Sequence, residues 1–193
     1  RTVVRSDGSE NAYICFSNSD GKDYRMCDSF DGTTAVSQPF VSGAQSRKDS
    51  SMANYKGGLL VFGGWFSGTS TTLADTEIFT PEVGFSAAQP MITAASQMNS
   101  LSIGNDRVIM FGGYLEGEGI TDKIYTFYND EWSFLGNMVV ANSRTTAIMI
   151  GSSIIVSSGQ DSGVIQQFEW DGDSISEELS TTSEITINLC IQS

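Results

Sequence analysis

Leu60-Val61-Phe62-Gly63-Gly64-Trp65 returns 49 residues later as Ile109-Met110-Phe111-Gly112-Gly113-Tyr114. A worn copy, Ile155-Val156-Ser157-Ser158-Gly159-Gln160, follows after 46 residues, and a faint one, Ile14-Cys15-Phe16-Ser17-Asn18, stands 46 residues before the first. Short apolar runs ending in glycine, repeated at a period of about 50 residues, signify a stack of β units.

Each copy has the same surroundings. A Ser-rich approach precedes it: Arg47 to Ala53, Ser96 to Leu101, and Ser143 to Ile148. These segments suit a short first strand. Lys56-Gly57-Gly58, Gly104-Asn105-Asp106 and Gly151-Ser152 then supply residues that tolerate the positive φ of a tight hairpin. The apolar run is the second strand, and its lack of alternation predicts burial on both faces. After a loop of variable length comes a third, alternating strand: Asp75 to Phe79, Lys123 to Phe127, and Ile165 to Phe168. Alternation implies one buried and one exposed face. A fourth strand opens on Phe85 or Trp132 and ends before Gln89-Pro90-Met91 or Gly136-Asn137-Met138. The N-terminal part joins this template at Ala12 to Phe16, continues through Arg25 to Phe30, and reaches Gln38-Pro39-Phe40. Arg1 to Arg5 and Ile185 to Ile191 are both strand-like, so one could complete a unit at the other terminus.

The 193 residues are 39 % hydrophobic and 17 % charged, with a net charge of −13. That charge argues against nucleic-acid binding through phosphates. Beyond Arg144 there is no Lys or Arg, only acids such as Asp161, Glu169, Asp171 and Asp173, which read as a solubilising surface. Histidine is absent, which removes His-assisted nucleophiles and imidazole metal sites. No apolar run is long enough for a transmembrane helix. The sequence starts at Arg1 with no leader pattern, as a mature form or a fragment would. Cys15 and Cys27 lie on successive strand-like runs, so antiparallel pairing permits a disulfide, with buried free thiols as the other reading. Cys190 has no evident partner. Asp171-Gly172-Asp173-Ser174 offers oxygens to Ca²⁺ but lacks the spacing of an EF-hand loop and reads first as a solvated turn.

At Gly112-Gly113, Ile124-Tyr125-Thr126-Phe127, Trp132, Met138 and Arg144 the pattern resembles a kelch repeat. Gly63-Gly64, Phe79, Phe85 and Met91 form a second copy. The last repeat keeps only Ser158-Gly159, and the first lacks the glycine pair. The resemblance implies an all-β fold of four-stranded antiparallel blades around a central channel, a β-propeller. Four repeats, roughly 1–44, 45–94, 95–141 and 142–193, would make one domain, either a complete small ring or part of a larger one. The kelch-like family includes a copper radical oxidase, but that chemistry needs His ligands.

In such a ring the loops after the glycine pairs share one rim with the starts of the first strands. Arg47, Trp65, Phe66, Tyr114 and Arg144 are the candidate binding residues there, since aromatic and Arg side chains on a rigid scaffold are the usual material of protein recognition. No catalytic residue, metal ligand or cofactor is expected. The function expected is a non-enzymatic module that binds a protein partner through its rim loops. The alternatives are a carboxylate-dependent glycan-binding or glycan-hydrolysing propeller, and a truncated repeat protein without activity. The acidity and a Cys15–Cys27 bridge favour an extracellular over a cytoplasmic setting.

Overall fold

The computed structural model describes residues 3–6, 12–15, 26–39, 47–66, 68–80, 82–157 and 159–182. Ile185 to Ile191 and Cys190 lie outside them. Every regular element among the described residues is a β-strand. No helix there is long and apolar enough to cross a membrane.

The chain lays down four antiparallel sheets in sequence. Sheet 1 holds β1 (Val3–Ser6), β2 (Ala12–Cys15), β3 (Met26–Phe30) and β4 (Ala35–Pro39). Sheet 2 begins with β5 (Ser51–Tyr55) and β6 (Gly58–Phe62). A two-residue hairpin follows, β7 (Trp65–Phe66) with β8 (Thr71–Thr72), before β9 (Thr76–Thr80) and β10 (Gly84–Ala88) complete the sheet. After the short β11 (Ala95–Ser96) come β12 (Asn99–Ile103) and β13 (Arg107–Phe111) of sheet 3. The chain leaves through β14 (Tyr114–Leu115) and β15 (Gly119–Ile120), and returns for β16 (Lys123–Tyr128) and β17 (Glu131–Asn137). Sheet 4 holds β18 (Ala147–Ile150), β19 (Ser153–Val156), β20 (Ile165–Trp170) and β21 (Ile175–Thr182).

Each large sheet is a meander whose strands pair in chain order. One sheet falls in each of the four sequence segments. Among the described residues β1 pairs with β2 of its own sheet. The loops after the glycine pairs, expected to be irregular, carry the extra strands β7, β8, β14 and β15. Two-residue strands are too short to leave a period in the sequence.

Turn chemistry explains the tight returns. Lys56 and Gly57 have φ of 47° and 75°, and Asn129 and Asp130 have 52° and 63°. Two successive positive φ values give the turn whose twist matches an antiparallel pair. Asp31 and Asp171 close the third-to-fourth strand turns of sheets 1 and 4. The Asp31 carboxylate accepts the Thr33 and Thr34 amides, and that of Asp171 accepts the Asp173 and Ser174 amides.

The sheets stack through their first strands, β1 on β5, β5 on β12 and β12 on β18. Ser51 donates to Ser100 Oγ at 2.8 Å, and Ser100 to the Met52 carbonyl at 3.1 Å, so hydroxyls stitch β5 to β12. The core lies in the three seams between sheets. Tyr13 and Cys15 meet Met52, Leu59, Val61 and Phe79 in the first. Ala53, Tyr55, Leu60 and Phe62 meet Val108, Met110 and Phe127 in the second. Ile109, Phe111 and Ile124 meet Ile154, Val156 and Phe168 in the third. Successive residues of β6 and β13 therefore enter different seams, and both strands are buried throughout. β19 is buried only at Ile154 and Val156, which face sheet 3. On β18, Ala147 and Met149 also pack into that seam, while Ile148 and Ile150 are exposed on the other face.

At the hairpin end, charged groups fasten neighbouring sheets. Tyr55 Oη donates to Asp130 at 2.8 Å and Lys56 Nζ does so at 2.9 Å. Arg107 lies over Tyr128 and Trp170, with its carbon 4.0 and 5.0 Å from the ring centres, and donates to Asp173 and to the Gly172 carbonyl.

Candidate functional site

The opposite end of the stack is built by the glycine pairs. A Cβ on Gly113 would come within 2.8 Å of the Ser96 carbonyl oxygen, and one on Gly112 within 2.3 Å of that of Asn142. Gly113 also has φ +103°. Only glycine satisfies both the crowding and the backbone angle. The close approach lets Gly64 donate to the Ala95 carbonyl at 2.7 Å and Gly113 to that of Asn142 at 2.9 Å. The segment entering each new sheet is thus held against the second strand of the preceding one.

The residue after each pair is then fixed against the approach to the first strand of its own sheet or the same segment of the next. Lys48 and Trp65 exchange backbone hydrogen bonds of 3.0 and 2.7 Å. Ser96 pairs with Tyr114, and Gln160 donates to the Ser143 carbonyl at 3.0 Å. Immediately after Lys48, Ser96 and Ser143 stand Asp49, Gln97 and Arg144, with φ of 54°, 60° and 55°. These are left-handed conformations that L-residues other than Asn, Asp and Gly seldom adopt. The Gln97 amide donates to the Asp49 carbonyl and the Arg144 amide to the Gln97 carbonyl, both at 2.8 Å. Three strained residues, one from each of three successive repeats, therefore form a hydrogen-bonded line across the first strands. Such strain persists only where its surroundings enforce it, and it clusters at binding and active sites.

Around this line lies a concave surface of about 450 Å³. Asp49, Gln97 and Arg144 line it, with Lys48, Trp65 and Tyr114. Hydroxyls of Ser70, Thr72 and Ser96 and the Glu116 carboxylate complete it. Lys48 lies on the Trp65 ring, its Nζ 4.1 Å from the centroid. Tyr114 is 40 % exposed. The Arg144 side chain is 27 % exposed, and its nearest carboxylate oxygen, Asp49 Oδ2, is 3.8 Å away. Its Nε is buried without a hydrogen-bond partner.

Three of the residues singled out from sequence thus meet at one surface: Trp65, Tyr114 and Arg144. Phe66 does not line it. It sits on β7 opposite Thr71, with its ring against Gly68. Arg47 must be corrected. It is 1 % exposed and donates to the Gly63 and Asp75 carbonyls at 3.2 Å and to Glu77 at 2.9 Å. Burial pulls the Arg47 guanidinium down from its usual range, while Glu77 and Asp75 push it up. Burial raises the Glu77 carboxyl against the opposing pull of Arg47. The 2.9 Å contact and the two carbonyl acceptors hold the two as an ion pair that ties the glycine turn to β9. The reading from sequence passed over Lys48, Asp49, Gln97 and Glu116. Their one signal was a polar residue recurring at offsets of 48 (Asp49 to Gln97) and 47 (Gln97 to Arg144).

Phe79, Phe127 and Trp132 are buried core residues, and the Trp132 indole donates to Thr76 Oγ1 at 3.0 Å. The Asp171 carboxylate is engaged in its turn. Among the described residues no group of three His, Cys, Asp or Glu side chains could hold a metal ion.

No known protein family matches this sequence, and no curated protein does. The fold is similar to the solved structure of YjhT, with a TM-score of 0.74 over 95 % of this chain and 12 % identity. This chain spans 65 % of the length of that one. At such identity the likeness is one of fold alone.

Proposed function

We propose that this chain is a kelch-like β-propeller module whose four sheets are blades, and that it acts without catalysis by binding a protein partner at the concave surface around Asp49, Gln97 and Arg144. The observation that carries this reading is convergence. Trp65, Tyr114 and Arg144 come from separate repeats and line one concave surface. Half-exposed aromatic and Arg side chains around a rigid concavity are the composition of binding hot spots. The order of the sheets, stacked through their first strands, and the repeated glycine pairs support the blade reading.

The test compares wild type with Trp65→Ala/Tyr114→Ala in affinity capture from a cell extract, with circular dichroism to confirm that both are folded. Loss of the captured protein by the folded variant supports the reading. Equal capture overturns it. The hydroxyls beside Trp65 also suit a sugar, and a glycan array with the same two proteins checks that alternative. Lys48 covers one face of the Trp65 ring, which leaves less aromatic surface for a sugar to stack on.

The proposal extends to a Cys15–Cys27 disulfide. The two residues are direct partners in the β2–β3 register, and the Cys15 thiol is engaged rather than free. Such a bridge belongs to an oxidising compartment.

A further inference from the structure

The cations of this chain divide into two groups. Six Lys and Arg side chains are described. Four of them, Arg47, Lys56, Arg107 and Lys123, hydrogen-bond a carboxylate within 3.2 Å. The other two are Lys48 and Arg144, and both line the concave surface. Lys48 touches the Trp65 ring and has no hydrogen bond or carboxylate partner among the described residues. Arg144 faces Asp49 at 3.8 Å, beyond hydrogen-bond reach, and its Nε is orphaned. In a chain with 23 acidic and 10 basic residues, carboxylates for these two would be easy to supply. A buried Nε–H without an acceptor carries a desolvation cost that an acceptor from outside would relieve.

We infer that the concavity is a carboxylate site: Lys48 and Arg144 receive the side-chain carboxylate of an Asp or Glu residue presented by the protein partner. This rests on the partner-binding reading above. The guanidinium fork matches the two oxygens of a carboxylate. Lys48 adds a second positive charge from the side of Trp65. The acceptor is a monoanion. Asp49 and Glu116 line the same surface and would repel a second negative charge, as would the net charge of −13. The left-handed backbone at Arg144, fixed by the hydrogen bond from its amide to the Gln97 carbonyl, sets where the side chain leaves the chain.

The experiment uses blocked amino acids as probes, with ¹⁵N chemical shifts of the Gln97, Tyr114 and Arg144 amides as readout. N-acetyl-glutamate amide should shift them saturably, and N-acetyl-glutamine amide should not. Arg144→Gln should weaken the glutamate response about tenfold or more, and Lys48→Gln should weaken it to a smaller degree. Gln is the residue at the equivalent left-handed position 97, so the Arg144→Gln backbone has a precedent in this chain. Equal response to the two probes, or wild-type affinity in Arg144→Gln, would overturn the inference. D-glucuronate against D-glucose gives the second arm. A saturable response to glucuronate alone would overturn a side-chain carboxylate as the source. Capture lost in Trp65→Ala/Tyr114→Ala but kept in Lys48→Gln/Arg144→Gln would overturn this inference and leave the partner-binding reading standing. Probe binding that needs Arg144, beside capture that needs none of these residues, would overturn the partner reading and leave the carboxylate site standing.

Discussion

Arg47 and Arg144 each open a repeat in the sequence, yet their surroundings are opposite. Arg47 is enclosed, and its two terminal nitrogens bond Glu77 and two carbonyls. Removing it strands a buried carboxylate, which typically costs about 3–5 kcal/mol. Arg47→Ala should therefore lower stability by about that much in urea denaturation. Arg47→Met/Glu77→Leu, with no charge left unpaired, should recover most of the loss. A single variant as stable as wild type would show the pair to be dispensable. Sequence alone could not separate the two arginines. What distinguishes them is register: Arg144 occupies the left-handed position that Asp49 fills in the earlier repeat, two residues beyond Arg47.

Asp171 offers a pH test at the same scale. The Ser174 and Asp173 amides and the Ser174 hydroxyl hold its carboxyl at about 2, below the usual 3.8. A folded value below the unfolded one means that the contribution is present in full above about pH 4. It fades as the pH falls through about 2. The destabilisation caused by Asp171→Ala should accordingly be constant near neutral pH and shrink between pH 4 and pH 2. A carboxyl ¹³C titration midpoint near 4 would contradict this.

Among the elements, equivalent positions carry unequal weight. Tyr55 and Ile150 both end the first strand of a sheet, opposite Gly58 and Ser153. Tyr55 is buried in the seam between sheets 2 and 3, edge-on to Phe127 at 5.1 Å. Ile150 projects from the exposed face of sheet 4. Tyr55→Ala should cost about 3–5 kcal/mol, as large aromatic truncations in cores do. Ile150→Ala should change stability by about 0.5 kcal/mol or less, as exposed substitutions do. Calorimetry on the two variants checks the contrast. The strands themselves were legible. Leu59 to Phe62 reads as apolar on both faces, and the structure divides its residues between two seams. The glycine pairs and the tight turns also stood where the pattern placed them, whereas Phe85 and Trp132 stand second in their strands and β17 runs on through Gly136 and Asn137 instead of ending before them. The short strands β7, β8, β14 and β15 were not legible, because their pairing depends on neighbours brought close by the glycine crowding rather than on their own residues.

On the scale of the whole molecule, the site was half legible. Trp65, Tyr114 and Arg144 are residue types that announce recognition, and a repeat of about 50 residues implies that their loops lie on a common side. The partners that complete the surface, Asp49 and Gln97, announce little, because a positive φ has no sequence signature outside Gly and, weakly, Asn and Asp. The line they form with Arg144 also has a meaning for cooperativity. The amides of Gln97 and Arg144 donate across the seams between sheets, not within a ladder, so their exchange reports on the contact between two sheets. They are gauges of its parting. If the stack opens as one unit, both amides should exchange as slowly as those of Leu60 and Ile109 in the apolar runs. If the sheets separate one at a time, the two amides should exchange sooner than the ladders on either side, and at rates that differ from one another. Native-state hydrogen exchange at these two positions thus reads, from inside the molecule, whether four sheets melt together or in series.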